Sequence, residues 1–492
     1  MKDNVTDAPV SQTTTVPHRD HRWLAFGVLC LGALMIVLDV TIVNVALPSI
    51  REALGFSEAS LAWVVNAYLL TFGGCLLLGG RLGDLYGHRR VFLIGLAGFT
   101  LASLACGLSD SQGLLVVARA VQGIGGAVVD AVALSLMMNL FTEPAERAKA
   151  MGVFGFVCAG GGSIGVLLGG LLTSALSWHW IFLVNVPVGA LVFALTLRWL
   201  PAARGDTLRR HLDLGGAVTI TAALLLAVYA VVNGNAAGWT SARTLGLLVA
   251  ALVLFGVFLT IEARVRAPLM PLKLFRLRNL SAANVVGVLW AAAMFAWFFL
   301  SALYLQLVLG YNPMQVGLAF LPANIVMAVF SVGLSARLVM RFGYRLPLAT
   351  GLGLAAAGLL LFARAPLGGS FVIDVLPGML LLGIGAGIAF NPVLMAAMND
   401  VAPDESGLAS GIVNTAFMMG GALGLAVLAS LAAGRTDSLL RAGRDQLAAL
   451  NGGYHVAFLV GACFAALAAA VGAALLRGRT SITTREAEPV KP

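Results

Sequence analysis

The sequence is dominated by apolar runs that are each long enough to cross a lipid bilayer as a helix. Hydrophobic residues make up 60% of the 492 residues, and only 11% are charged. Soluble proteins carry about twice that charged fraction. Because a membrane-spanning helix needs about 20 consecutive apolar residues, these runs predict an all-α polytopic membrane protein.

We predict fourteen membrane helices, arranged as a bundle of six, an inserted pair and a second bundle of six. The helices are predicted near 23–48, 61–79, 91–108, 114–140, 150–174, 180–200, 213–232, 244–262, 280–309, 314–336, 346–363, 373–398, 407–433 and 454–477. The predicted divisions are a tail 1–22, a six-helix bundle 23–200, two inserted helices with linkers 201–279, a six-helix bundle 280–477 and a tail 478–492.

Basic residues fall mainly on one side of these predicted helices. With the amino terminus inside, 24 Lys and Arg lie in cytoplasmic segments and 6 lie in external loops. Because cytoplasmic loops collect Lys and Arg, both termini are predicted to be cytoplasmic, and the net charge of +9 is no sign of nucleic-acid binding.

The sequence contains no pattern that indicates a cofactor or a metal site. The five cysteines all lie inside apolar runs, and the six histidines form no metal-ligand cluster, so we predict no metal site and no disulfide. No phosphate-binding loop is present, so ATP is excluded as the energy source. A membrane enzyme such as an acyltransferase is disfavoured, because neither His179 nor His455 has an acid nearby in sequence.

An internal repeat relates the two predicted bundles. Three segments recur at offsets of 256, 260 and 259 residues, namely 81–89 with 337–345, Gly123 and Gly125 with Gly383 and Gly385, and Pro144 and Glu146 with Pro403 and Glu405. Two parallel six-helix halves are typical of transporters that work by alternating access. Asp84 in the first copy corresponds to Met340 in the second.

The loop 79–90 joins the second and third predicted helices through a short, charged turn. Gly83 and Gly87 permit a sharp turn and a close approach of the helices. Asp84 lies among basic residues and can cap a helix or pair with an arginine. The alternative is an ordinary basic loop that only fixes topology.

Three charged residues are predicted inside the bilayer, where charge is costly: Asp39, Arg119 and Asp130. Asp39 lies roughly 12 Å and Arg119 roughly 8 Å from the outer ends of their helices, so the two can pair. Burial favours the neutral form of Asp39, whereas Arg119 favours its charged form, so this carboxylate is suited to bind and release a proton. The alternative is a static buried ion pair that fixes packing.

Asp130 follows Arg119 by three helical turns, on the same helix face and roughly 16 Å deeper. It would attract a cationic substrate or take a second proton, or it would make a local hydrogen bond. Other candidates for lining a substrate cavity, or for tying helices together, are Asn44, Gln122, Asn185, Met294, Phe298, Gln306, Asn391 and Asn414.

The fifth predicted helix is rich in glycine. Gly161, Gly165 and Gly169 recur every four residues and would form a flat seam that seals or hinges a gate.

Several motifs together resemble a known transporter family. They are the loop 79–90, the helix 1 segment 38–48, the helix 4 segment 119–126 and the segment 178–189. This pattern is similar to the major facilitator superfamily, in particular to its fourteen-helix drug:proton antiporter family of multidrug and quaternary ammonium exporters.

The resemblance implies a role for each matching residue. Proton coupling would fall on Asp39 with Arg119 as its partner. A conformational latch would fall on Gly80, Asp84, Gly87, Arg89 and Arg90, and the antiporter signature on Gly161, Gly165, Gly169 and Gly170. Two departures stand out. Val166 follows Gly165 where the family usually has Pro, and Asp130 replaces a Pro or small residue.

From these features we expect a monomeric, proton-coupled antiporter in the inner membrane of a bacterium. It would export hydrophobic, preferentially cationic, small molecules from the cytoplasm. Alternatives are an exporter dedicated to one natural product or metabolite, a proton-coupled importer, and a sensor that no longer transports.

Overall fold

A computed structural model describes residues 19–141, 143–200, 213–265, 268–402 and 405–476. The predicted tails 1–22 and 478–492 lie outside the described residues, except for positions 19–22. Within the described ranges the fold is all α-helical and contains no strand. The prediction of an all-α polytopic fold is confirmed.

Seventeen α-helices follow one another along the described chain. In the first half and the inserted pair they are α1 (Arg19–Leu54), α2 (Glu58–Leu61), α3 (Trp63–Tyr86), α4 (His88–Gly107), α5 (Gln112–Leu140), α6 (Pro144–Ala175), α7 (Trp180–Leu183), α8 (Asn185–Trp199), α9 (Leu214–Ala237) and α10 (Ala242–Arg264). In the second half they are α11 (Arg278–Leu303), α12 (Pro313–Val329), α13 (Ala336–Phe342), α14 (Arg345–Phe362), α15 (Leu376–Met398), α16 (Ser406–Arg441) and α17 (Gln446–Leu475).

Short segments of other helical types extend several of these elements. A 3-10 helix at Leu272–Arg276 precedes α11, and π-helical turns occur at Tyr304–Val308, Phe330–Ser335 and Phe371–Val375. Thirteen spans in the described chain are long and apolar enough to cross a membrane, and α6 contributes a further apolar stretch at Gly160–Ala175. This agrees with the fourteen helices expected from the sequence.

The repeat is visible in how corresponding helices end and pack. Gly87 ends α3 with φ +90°, and Gly343, its counterpart, ends α13 with φ +71°. Such positive φ values favour glycine. A Cβ on Gly125 of α5 would lie 2.5 Å from the Phe99 amide nitrogen of α4, and its counterpart Gly385 on α15 abuts the Gly351 carbonyl of α14 in the same way. Both halves therefore use glycine to bring the central helix against its neighbour.

The inserted pair, α9 and α10, packs beside α3 of the first half and α16 of the second half. Near one end of α9, the Asn235 amide donates a hydrogen bond of 2.6 Å to the Ser430 carbonyl of α16. Farther along, Thr221 of α9 packs directly over Gly74 of α3. The insertion thus contacts both halves across the boundary between them.

The two halves also contact each other directly, at the end of the bundle that holds the α6–α7 connection. The Gln306 amide donates a 2.8 Å hydrogen bond to the Val45 carbonyl of α1, and the Met314 amide donates a 3.1 Å bond to Ser174 Oγ of α6. By the predicted topology this is the outer end, so the described form is bridged on its outer side.

Candidate functional site

Asp39 on α1 is fully buried and is surrounded by hydrogen-bond donors. Its Oδ2 accepts a 2.6 Å bond from Arg119 Nη1 of α5, which also makes this contact an ion pair. Its Oδ1 accepts bonds of 2.7 Å from the Gln122 amide and 2.9 Å from the Asn185 amide. The two oxygens therefore have different partners: one faces a cation, and the other faces two neutral amides.

Arg119 keeps several partners besides Asp39. Its Nε donates a 2.9 Å bond to the Val64 carbonyl of α3, and Nη1 donates a 2.6 Å bond to Gln122 Oε1. The Arg119 guanidinium carbon also lies 4.4 Å from the centre of the Tyr68 ring and 5.5 Å from that of Phe182. Carbonyl oxygens and aromatic faces both stabilise a buried cation, so Arg119 does not depend on Asp39 alone.

Gln122, one of the predicted cavity residues, belongs to this cluster in the structure. Its side chain is fully buried, and its amide nitrogen binds both Asp39 and Ser103 Oγ of α4, the latter at 2.8 Å. Gln122 lies three residues after Arg119 on α5, so both side chains project from the same helix face toward α1. Asn185 likewise serves the cluster, from the first turn of α8.

Five elements of the first half meet at this cluster, which we call the Asp39 cluster: Asp39, Ser103, Arg119, Gln122 and Asn185. These side chains come from α1, α4, α5 and α8, while α3 contributes the Val64 carbonyl and the Tyr68 ring. The predicted pairing of Asp39 with Arg119 is present in the structure. A charge pair with a closed set of hydrogen bonds has its burial cost largely offset.

Asp130 lies three turns beyond Arg119 on α5 and is only partly buried. Within the described part of the chain its carboxylate has no hydrogen-bond partner. The Tyr68 hydroxyl lies between these two regions: it is buried without a partner and would be 2.8 Å from a Cβ on Gly126, one turn before Asp130. The ring of Tyr68 therefore supports Arg119, while its hydroxyl is directed toward the part of α5 that carries Asp130.

The other predicted cavity residues differ in whether their side chains make hydrogen bonds. Asn44 donates to carbonyls of its own helix, Gln306 bridges to Val45, and Asn391 donates a 2.8 Å bond to the Ser331 carbonyl. These three tie helices or turns together. Met294, Phe298 and Asn414 are partly buried, and no hydrogen bond of Asn414 is found among the described residues.

Aromatic side chains link three helices of the second half. The ring of Phe417 on α16 lies 5.9 Å from Phe295 on α11 and 6.2 Å from Phe390 on α15. Phe390 remains 49% exposed. Phe298, one of the predicted cavity residues, stacks on Phe320 of α12 at 5.5 Å. The second half thus presents apolar, aromatic surface, whereas the buried Asp39–Arg119 ion pair lies in the first half.

The glycine seam of α6 packs against the turn of α1 that carries Asp39. A Cβ on Gly161 would lie 3.0 Å from Leu34 and Val37, one on Gly165 would overlap Thr41, and one on Gly169 would lie 2.6 Å from the Ile42 carbonyl oxygen. Gly170 faces the other way, 2.6 Å from the Pro313 carbonyl oxygen of α12. Helix α6 runs without a break past Val166, which is buried.

Only Gly87 separates α3 from α4, so Asp84 lies in the last turn of α3, while His88 and Arg89 lie in the first turn of α4. Asp84 Oδ1 lies 3.2 Å from His88 Nε2, so its partner is this histidine and not an arginine. Arg89 donates a 2.7 Å bond to the Leu197 carbonyl of α8. Arg90 is exposed, and a Cβ on Gly80 would meet no atom within 4 Å, so Gly80 is not needed for close packing.

Some residues of the site gave no signal in the sequence. Ser103 and Tyr68 are single polar residues within apolar runs and were not singled out.

Asp213 and Glu262 are also buried in the structure, at 5% and 3% exposure, although only Asp39, Arg119 and Asp130 were expected at depth. Their positions at the ends of predicted helices made them resemble ordinary loop residues.

These features define a multi-pass helical membrane protein built from two related halves, with a buried ion pair inside the first of them. Residues 29–425 match the Major Facilitator Superfamily, and the chain therefore belongs to that superfamily. The recognition made from the motifs is confirmed at this level.

Individual relatives extend this finding. The puromycin resistance protein pur8 of Streptomyces alboniger is 39% identical over 468 residues, which cover 94% of this chain and 93% of that protein. The multidrug resistance protein Stp of Mycobacterium tuberculosis is 38% identical over 405 residues, covering 82% and 74%. Among solved structures, an inward-facing bacterial homolog of the human lysosomal transporter Spinster has a TM-score of 0.65 at 16% identity and covers 93% and 97%.

Proposed function

We propose that this protein is a proton-coupled antiporter that exports hydrophobic, preferentially cationic, small molecules from the cytoplasm of a bacterium. The observation that carries the proposal is the buried pair of Asp39 and Arg119, closed by amides on Asp39 and by carbonyls on Arg119. The names of the relatives, which include resistance proteins for puromycin and for multiple drugs, support the export of toxic compounds.

The unequal partners of the two Asp39 oxygens indicate where a proton would bind. Oδ1 accepts from two amide N–H groups and keeps its role as an acceptor. A proton would therefore bind Oδ2, which faces Arg119 Nη1 at 2.6 Å. Protonation would remove the negative charge that attracts the guanidinium and place a hydrogen on the oxygen that faces it, so it would weaken this contact. Arg119 stays charged on the Val64 and Gln122 carbonyls and the Tyr68 ring.

The packing of α1 and α6 offers a route from this event to the second half. The turn of α1 at Asp39 lies against the seam of α6, where Gly165 and Gly169 bring the two helices into close contact. A shift of α1 would therefore move α6 with it. The same two helices carry Val45 and Ser174, which accept the hydrogen bonds that bridge the outer end. Releasing α1 from α5 would therefore loosen the bridge between the halves.

The substrate class follows from the contrast between the halves. Asp130 offers a partly buried carboxylate, and the Phe295, Phe390 and Phe417 rings offer an adaptable aromatic surface. A cavity that combined a carboxylate with aromatic faces would favour apolar cations. On the inner side, the Asp84–His88 pair and the Arg89 tie to α8 would form the latch, with Gly87 providing the turn.

An exporter dedicated to one natural product is the second candidate. It is favoured by the similarity to a relative named for puromycin alone. Proton release from the purified protein on addition of a panel of compounds separates the two. A response to many unrelated cations supports a multidrug exporter, and a response to one compound supports a dedicated one.

The coupling proposal is tested with Asp39→Asn in proteoliposomes. We expect ethidium transport driven by a pH gradient to be abolished, because the amide cannot bind and release a proton. Ethidium binding, followed by fluorescence, should persist, because Asp39 lies in a cluster apart from Asp130.

Two controls accompany this experiment. Asp39→Glu retains a carboxyl group and should keep part of the gradient-driven transport. Asp110→Asn alters an exposed carboxylate and should leave transport unchanged. Normal gradient-driven ethidium transport by Asp39→Asn would overturn the coupling proposal.

A further inference from the structure

Two buried carboxyl groups of the inserted helix pair lie beside Gly216, far from the Asp39 cluster in sequence. Asp213 caps the amino terminus of α9, and Glu262 lies in the last turn of α10. Both are more than nine-tenths buried, at 5% and 3% exposure. Neither residue takes part in the proposed transport chemistry.

Each carboxyl group uses one oxygen for a backbone hydrogen bond. Asp213 Oδ1 accepts a 2.6 Å bond from the Gly216 amide, and Glu262 Oε2 accepts a 3.1 Å bond from the Met270 amide. The second oxygens, Asp213 Oδ2 and Glu262 Oε1, are buried and have no hydrogen-bond partner within the described residues.

These two unpartnered oxygens approach the same point. A Cβ on Gly216 would lie 2.6 Å from Asp213 Oδ2 and 2.9 Å from Glu262 Oε1. Both oxygens therefore border the space that a side chain at position 216 would fill, and glycine leaves that space open. Two ionised carboxylates this close in a buried site repel each other, and one of them gives up its charge by binding a proton.

Among the described residues, no charged side chain donates a hydrogen bond to either oxygen. Charged side chains on neighbouring described elements include Arg264 on α10, Lys273 on the 3-10 helix, Arg81 and Asp84 on α3, and Glu405 before α16. Arg264 is exposed, Lys273 pairs with Glu405, and Asp84 pairs with His88. A proton would supply the donor that both oxygens lack among the described residues.

We propose that Asp213 and Glu262 form a carboxylic acid–carboxylate pair that binds a single proton between Oδ2 and Oε1. The bound proton fastens the start of α9 to the end of α10. Through the Met270 amide it also fixes the connection that leads from the inserted pair to the second half. This site is separate from Asp39 and does not depend on the direction or substrate of transport.

The proposal predicts how amide substitutions combine. Glu262→Gln places an N–H donor opposite Asp213, and Asp213→Asn places one opposite Glu262 while preserving the helix cap. Each single variant should therefore fold with a thermal unfolding midpoint close to that of the parent. The double variant has two facing NH₂ groups and should be less stable than the two single effects added together.

The pH dependence gives an independent readout. In the full-length protein in lipid nanodiscs, infrared difference spectra across a pH titration should contain a carboxylic acid C=O band that disappears in Glu262→Gln and in Asp213→Asn. The unfolding midpoint of the parent should fall as the pH rises and removes the proton, and this fall should be absent in Glu262→Gln. Asp110→Asn, an exposed carboxylate, should behave like the parent in both measurements.

Three results would overturn the proposal. The first is additive effects in the double variant. The second is an unchanged infrared band and pH slope in both single variants. The third is a fall in the parent's unfolding midpoint on adding EDTA that Glu262→Gln abolishes, because that would assign a divalent cation to the pair in place of a proton.

Discussion

Asp39 accepts hydrogen bonds from two amides as well as from Arg119. Neutralising the charge of the arginine alone would not require these amides. Gln122 and Asn185 both donate to Oδ1, so the orientation of the carboxyl plane is set without Arg119. The bond from Oδ2 to Arg119 can therefore be made and broken while the side chain stays in place.

Asp130→Asn tests the role of the second acid of α5. We expect transport of cationic ethidium to fall at least about tenfold, which corresponds to about 1.4 kcal/mol, because the carboxylate has no partner in the described chain and is free to meet a cation. Transport of a neutral substrate from the same panel should be retained. An equal loss for neutral and cationic substrates would contradict a role in charge recognition.

The sequence was sufficient to predict the pairing of Asp39 with Arg119, because helix direction and residue count place both at the same depth. It could not predict which neutral side chains close the cluster. Gln122 was assigned to the cavity, since the rotation of α5 about its own axis depends on packing against α1 and α3. Ser103 and Tyr68 were missed for the same reason: one polar residue in an apolar run does not reveal which way it points.

Among the helices, α6 packs through positions that carry no side chain. The absence of side chains at Gly165 and Gly169 lets α6 lie directly on the α1 turn of Asp39. The spacing of these glycines predicted a flat packing seam, and the structure identifies α1 as the helix that fills it. That identity follows from tertiary packing and is not encoded in the spacing.

Gly169→Ala is expected to destabilise the protein and impair transport. Its Cβ would lie 2.6 Å from a backbone oxygen of Ile42, which cannot turn away as a side chain can. Overpacking of this kind costs about 1–3 kcal/mol. The measurement is the thermal unfolding midpoint in detergent, together with ethidium transport.

Gly162→Ala on the same helix provides the matched control. No atom lies within 4 Å of its Cβ position, and alanine favours a helix over glycine by up to about 1 kcal/mol. This variant should be as stable as the parent or slightly more stable. If both substitutions had the same effect, the close contact of α6 with α1 would not be the reason for the glycine.

The whole molecule is symmetric in packing but asymmetric in chemistry. Gly125 and Gly385 occupy equivalent contacts, and Gly87 and Gly343 end equivalent helices. The buried ion pair nevertheless belongs to the first half, and the linked aromatic rings belong to the second. The repeat was visible in the sequence because the glycines that backbone contacts require recur in both halves. The chemical difference between the halves depends on side chains that are not repeated.

Fixing the outer bridge between the halves should stop the transport cycle. In a chain whose own cysteines are replaced by alanine, Ser174→Cys with Met314→Cys introduces thiols on the two residues whose backbone amide and hydroxyl now meet at 3.1 Å. Oxidation should block ethidium transport, and reduction should restore it. The two single-cysteine chains are the controls, and undiminished transport by the cross-linked protein would show that this contact need not open.

The position of the Asp39 cluster along the chain has a consequence for how the protein is made. All of its side chains lie between residues 39 and 185, well before α11 begins at Arg278. A nascent chain of which only α1 to α8 have left the ribosome therefore already contains every group that neutralises Asp39 and Arg119. Its charges can be paired during membrane insertion, so the second half joins a bundle whose most costly burial is already complete.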